Sequence, residues 1–166
     1  MTFQVNIVPK ETTLVMSMIG LLDEEATLPE LDFSAFKELV LDLNSIRSIN
    51  SYGIRSWLTW IKPIADTGMP IVFERVPSSV VFQFNMVKGF LPEGAAVRSV
   101  YVRFYCEKCD IEKAILLDIA TDVDMSSGQP KVRKEYLAKH KCPSSSPGCN
   151  FELEYPEETY LAFLRK

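Results

Sequence analysis

The chain has 166 residues, 47% of them apolar, and a formal net charge of −4 at neutral pH. That length holds one ordinary domain, or one with a small appendage, and the apolar share supports a buried core, which excludes wholesale disorder. The acidic balance argues against a surface that grips nucleic acid or anionic lipid as a whole. No basic stretch followed by an apolar run opens the chain, and no run of about 18 apolar residues occurs, so neither a signal peptide nor membrane insertion is expected. The expected compartment is the cytoplasm.

In chain order, residues 3–8 alternate weakly up to Pro9, and residues 13–19 are β-branched and apolar up to Gly20. These predict a hairpin of two strands. Asp23-Glu24-Glu25 opens a helical segment interrupted by Pro29, with Phe33 and Phe36 as a weaker stripe. Residues 38–43 form a nearly continuous apolar run, which suits a strand buried on both faces of an α/β sheet. Asn44 and Ser45 read as turn residues. Ser51 stands as the N-cap of a helix whose inner face is Ile54, Trp57, Leu58 and Ile61. Pro63 and Asp66-Thr67-Gly68 end it. Residues 70–76 predict another strand. Pro77-Ser78-Ser79 starts a helix with Val80, Val81, Phe84 and Val87 inward. The order ββ(α)βαβα predicts an α/β fold, an open mixed sheet with right-handed crossovers over residues 1–100.

Residues 101–166 have a different texture and predict a small β-rich module. Residues 97–105 read as one long strand entering Cys106-x2-Cys109, and residues 111–117 return as its partner. A polar loop covers 121–130 and a locally basic segment covers 131–141. Phe151, Leu153 and Tyr155 alternate as a strand, and Tyr160, Leu161, Phe163 and Leu164 pack back on a core.

All four cysteines lie in this module. In a reducing compartment they read as metal ligands, not disulfides. Zinc takes four ligands in a tetrahedron, and two knuckles supply them here: Cys106 with Cys109, and Cys142 with Cys149, the second pair widened to six intervening residues. The module resembles a zinc ribbon, with structural Zn2+ as the expected cofactor. The competing readings are a redox Cys-x-x-Cys, which leaves Cys142 and Cys149 unexplained, and scattered buried thiols. His140, the one histidine, either replaces a cysteine as ligand or sits exposed in the basic segment. A four-thiolate site is closed to water and points to structure. The chain also lacks a histidine pair, a glycine-rich phosphate loop and a nucleophile elbow, so no enzyme is expected.

The stretch from Leu39 through Asp42, Asn50, Ser51, Tyr52 and Gly53 to Ile54 resembles the central motif of the STAS (anti-sigma-factor antagonist) family. There a buried strand ends in Asp-Ser-(Ser/Thr)-Gly at the start of a helix. Gly20-Leu21-Leu22-Asp23 resembles that family's earlier Gly-x-(Leu/Ile)-Asp turn. The resemblance covers about three fifths of the chain, and it implies phosphorylation of the serine after the Asp by a partner kinase, which is Ser51 here. The free N–H groups and the positive dipole end at that spot favour an anion. Asn50 stands where the family has Asp, and Tyr52 replaces the second hydroxyl residue. Residue chemistry alone leaves blander roles open: a helix cap for Ser51, a turn for Asn50, an N-cap for Asp23, and core or flank packing for Trp57 and Trp60.

Three functions follow. The first is a regulatory protein–protein interaction module like an anti-sigma-factor antagonist, meeting an anti-sigma factor or kinase-like partner and switched at Ser51. The second is a phosphorylation-independent scaffold or structural component. The third is a nucleic-acid-associated zinc-ribbon protein, resting on Lys131, Arg133, Lys134, Lys139 and Lys141, which the overall charge disfavours.

Overall fold

The computed structural model describes residues 2–165. Strand β1 (Gln4–Lys10) pairs antiparallel with β2 (Thr13–Leu22), turning at Glu11 and Thr12. β3 (Glu38–Ile49), β4 (Ile71–Glu74) and β5 (Ala96–Val97) add to β2 in parallel, giving the order β1-β2-β3-β4-β5. Two helices, α1 (Ser51–Asp66) and α2 (Ser78–Met86), connect the later strands. The fold is therefore α/β with a mixed sheet.

Alternation along β2 shows how the core is chosen. Leu14, Met16 and Met18 are buried while Val15, Ser17 and Ile19 between them are only half-buried, as a pleat with one covered face requires. Leu39 and Leu41 sit beside Leu14 and Met16 in register. Trp57, Ile61 and Ile64 of α1 and Val81 and Phe84 of α2 join the same buried cluster. Trp57 lies flat against Phe90, ring centroids 5.2 Å apart, and its indole N–H donates to the Phe90 carbonyl at 2.9 Å.

Four expectations need correction. Residues 23–37 contain no helix; they form a strap of turns, anchored by the Lys37 N–H on the Thr12 carbonyl at 2.7 Å. Pro29 and the local bonds made by Asp23 and Asp32 to the N–H groups two residues on favour turns over helix here. Asn44 and Ser45 do not end β3, which continues through two register shifts against β2. Pro63 does not end α1, which runs on to Asp66; an exposed proline near the last turn removes one bond without breaking the helix. Finally, residues 97–105 are not one strand. The chain leaves the first sheet at Val97 and starts a second at β6 (Ser99–Cys106).

The second sheet has the order β10-β6-β7, all antiparallel, with β7 at Ile111–Asp118 and β10 at Phe151–Leu153. A single turn α3 (Ile119–Asp122), a small ladder of β8 (Val123–Asp124) with β9 (Lys131–Val132), helix α4 (Lys134–Lys139) and a turn α5 (Glu157–Tyr160) complete it. The two sheets are joined by more than the chain. Val76 makes a parallel bridge to Val100, with N–H to carbonyl bonds of 3.1 and 2.8 Å on either side. Phe82 packs edge-on to Tyr155, Phe84 edge-on to Phe163, and Val100, Val102 and Phe104 belong to the same buried cluster as the first sheet.

Candidate metal centre and the loop at the start of the first helix

The hairpin of β6 and β7 places the first knuckle. Cys106 ends β6, opposite Ile111, and Cys109 lies in the turn between, where Asp110 takes a left-handed φ of 51°. β10 brings the second pair. Its register sets Phe151 opposite Cys106, so Cys149, two residues earlier, arrives at the hairpin tip. Two consecutive turns fold the six residues between Cys142 and Cys149, with the Ser145 N–H on the Cys142 carbonyl at 3.0 Å and the Cys149 N–H on the Ser146 carbonyl at 3.1 Å. The Lys108 ammonium donates to the Pro147 carbonyl and ties the two knuckles together.

All four Sγ atoms lie within 4.8 Å of one another. A tetrahedron with metal–sulfur bonds of about 2.3 Å has edges of about 3.8 Å, so this set can hold a metal ion. Four soft donors and no oxygen or nitrogen ligand select a thiophilic ion. Cys106 and Cys142 are buried, and Cys109 and Cys149 are half-buried, their sulfurs 3.3 Å apart. So many thiols at such range cannot all ionise without a cation. Hydrogen bonds from Ser144 hold Cys142 down to about 6. Ser144 also draws Cys109 downward, but contacts from Cys149, burial and the other cysteines outweigh it and push Cys109 up to about 11.

Ser144 was not singled out by its sequence. Its Oγ lies 2.9 Å from Cys109 Sγ, 3.3 Å from Cys149 Sγ and 3.4 Å from Cys142 Sγ. The widened knuckle is the only trace of it in the sequence: the extra residues fold a hydroxyl back over the sulfurs. His140 is not one of the clustered donors, although it lines a cavity with Cys142 and Cys149. It is half-buried, not exposed, with its ring 4.5 Å from Tyr136 and 5.7 Å from Phe104, and burial lowers its pKa.

The second cluster of sequence-selected residues sits at the start of α1. Asn50, not Ser51, is the N-cap: its Oδ1 accepts from the Gly53 N–H at 2.9 Å. Ser51 is the first helical residue and exposed, and its hydroxyl has no partner among the described residues. Tyr52 is 60% exposed. Gly53 is buried against the end of β2, where a Cβ would stand 1.8 Å from the Leu22 carbonyl oxygen. The Asn50 N–H donates to that same carbonyl at 3.2 Å, and its side-chain amide donates to Glu24 at 2.8 Å. The turn after β2 and the loop before α1 are thus one surface. Asp23 lies on it but accepts locally, from the Glu25 N–H. Glu24 makes the cross-loop contact; its carboxyl is held below the ordinary value by a bond to its own backbone and then by Asn50.

No family model and no curated protein matches the chain. No helix among the described residues is long and apolar enough to cross a membrane.

Proposed function

We propose that this chain is a regulatory protein–protein interaction module of the STAS type, working in the cytoplasm, with its partner docking on Ser51, Tyr52 and the adjoining turn at Asp23. The observation that carries the reading is the exposed, unpartnered Ser51 hydroxyl at the first position of α1, on a loop locked to the neighbouring turn by Gly53 and Asn50. A phosphoryl group there would add about 1.5 to 2 negative charges where the helix dipole favours them and where a partner would touch. The sequential mixed sheet, with two helices following β3 and β4, agrees with such a fold. The four thiols are proposed to hold one structural Zn2+, since a complete sulfur shell leaves no position for reacting water. The proposed role is binding, with no catalytic residue.

A phosphorylation-independent scaffold is the second reading. Asn50 supplies no carboxylate to the loop, and Tyr52 is an exposed aromatic anchor of the kind that dominates interfaces. Affinity for a partner captured on wild-type protein separates the two. Regulation predicts that Ser51→Asp weakens binding by about tenfold or more while Ser51→Ala keeps it. Equal binding by all three, with loss on Tyr52→Ala, selects the scaffold. If neither position matters, the docking site lies elsewhere.

A further inference from the structure

The strap between β2 and β3 leaves a groove that the Ser51 surface does not use. Parallel strands are ordinarily joined by a crossover that carries a helix. Here residues 23–37 carry none, so the outer flank of α1 has no helical neighbour. Between the strap and the second half of α1 lies an open groove of about 810 Å3. Leu31, Phe33, Phe36, Trp60, Ile64 and Met69 line it. The wall is preformed: the Trp60 indole N–H donates to the Pro29 carbonyl at 2.8 Å, the Ser34 N–H to Asp32 at 2.9 Å, and the Phe36 N–H to the Phe33 carbonyl at 3.0 Å. Leu31, at its edge, is 37% exposed.

Charge identifies the occupant. Residues 23–32 hold five carboxylates, Asp23, Glu24, Glu25, Glu30 and Asp32, and no Lys or Arg. Of these, Glu30 and Asp32 line the groove; among the described residues, Lys37 is the one cation lining it. Nearby on α1, Lys62 is already paired with Asp66 at 2.8 Å. We propose that this groove docks an amphipathic helix of a partner protein, apolar on the buried face and basic on its flanks. Two turns of helix span about 11 Å and present an apolar stripe at i, i+3, i+4 and i+7. The partner's helix takes the place that the crossover leaves empty, and the acidic strap raises its rate of encounter and sets its orientation.

Binding of a labelled synthetic peptide to the purified full chain tests this. The probe is a helical peptide of about 14 residues with leucines at i, i+3, i+4 and i+7 and lysines elsewhere, beside a copy with every lysine replaced by glutamate. The lysine peptide is expected to bind more tightly as salt is lowered, and at least about tenfold more tightly than the glutamate peptide. Leu31→Ser and Glu30→Lys, both at exposed positions, should each weaken it by about tenfold. Met86→Ser, which alters the exposed methionine that ends α2, should leave it unchanged. Equal binding of the two peptides overturns the proposal. So does a loss on Met86→Ser as large as on Leu31→Ser, which would mean general stickiness. Failure of the lysine peptide to bind, with an apolar dye captured instead at Leu31, would make the groove a small-molecule pocket and overturn it equally.

Discussion

Gly53 shows how a single missing side chain assembles a surface. The first turn of α1 presses directly on the Leu22 backbone, and a Cβ at 1.8 Å from the Leu22 oxygen has no room. Backbone, unlike the end of a flexible side chain, cannot step aside cheaply. Gly53→Ala is therefore expected to cost about 1 to 3 kcal/mol, read as a lower denaturant midpoint at unchanged slope. Because the same displacement pulls Asn50 from Glu24, partner affinity should fall with it. A glycine permits close approach, but nothing in the sequence names Leu22 as the backbone it approaches. The cap shifted by one residue for a related reason: Asn and Ser are both good N-caps, and only the observed bond from Gly53 N–H to Asn50 decides between them.

At the scale of elements, the closing tail acts as a clasp. Tyr155 and Tyr160 stack with ring centroids 5.7 Å apart, both edge-on to Phe82 of α2, and the Asn85 amide donates to the Tyr160 carbonyl at 2.9 Å. The buried Tyr160 hydroxyl donates to the Tyr101 carbonyl on β6. Tyr160→Phe should cost about 1 kcal/mol at neutral pH through that bond. Burial also pushes the Tyr160 and Tyr136 phenols above their ordinary value of 10. Folding thus favours the neutral phenols; this stability is present in full below pH 10 and is lost as pH rises past it toward the raised native values. Thermal melts from pH 8 to 11 should show the decline, with a shallower fall in the Tyr160→Phe variant. An identical fall in both would remove Tyr160 from the account.

At the scale of the whole molecule, the thiol cluster sits at one end of a continuous core. The thiols are joined to the first sheet through β6, whose inner side chains Val100, Val102 and Phe104 are buried with Val81 and Phe84. Withdrawing a bound metal should first release the knuckles. Amides of residues 106–112 and 142–151 are expected to exchange about tenfold faster after chelation, while those of β3 change little. Elemental analysis of protein purified without added metal should give one zinc per chain. Ordered disulfides with clearly substoichiometric zinc would end that reading.

Periodicity and composition by themselves determined a good part of this protein. The strands at β2, β3 and β4, the helical faces of Trp57, Ile61 and Val81, Phe84, and the segregation of four cysteines all follow from local signals, because burying one face imposes a period on the sequence. The tertiary structure alone decided the rest. Whether residues 23–37 became a helix depended on turn bonds and on a Trp60 partner 31 positions away in the sequence. The break at Arg98, between two extended runs, depended on Val100 pairing with Val76, a contact no local pattern announces. The placement of Ser144 over the thiols and of Glu24 against Asn50 likewise required distant segments to meet. Side-chain period reports which face is buried; it carries no record of which partner buries it or of which polar groups that partner brings into range.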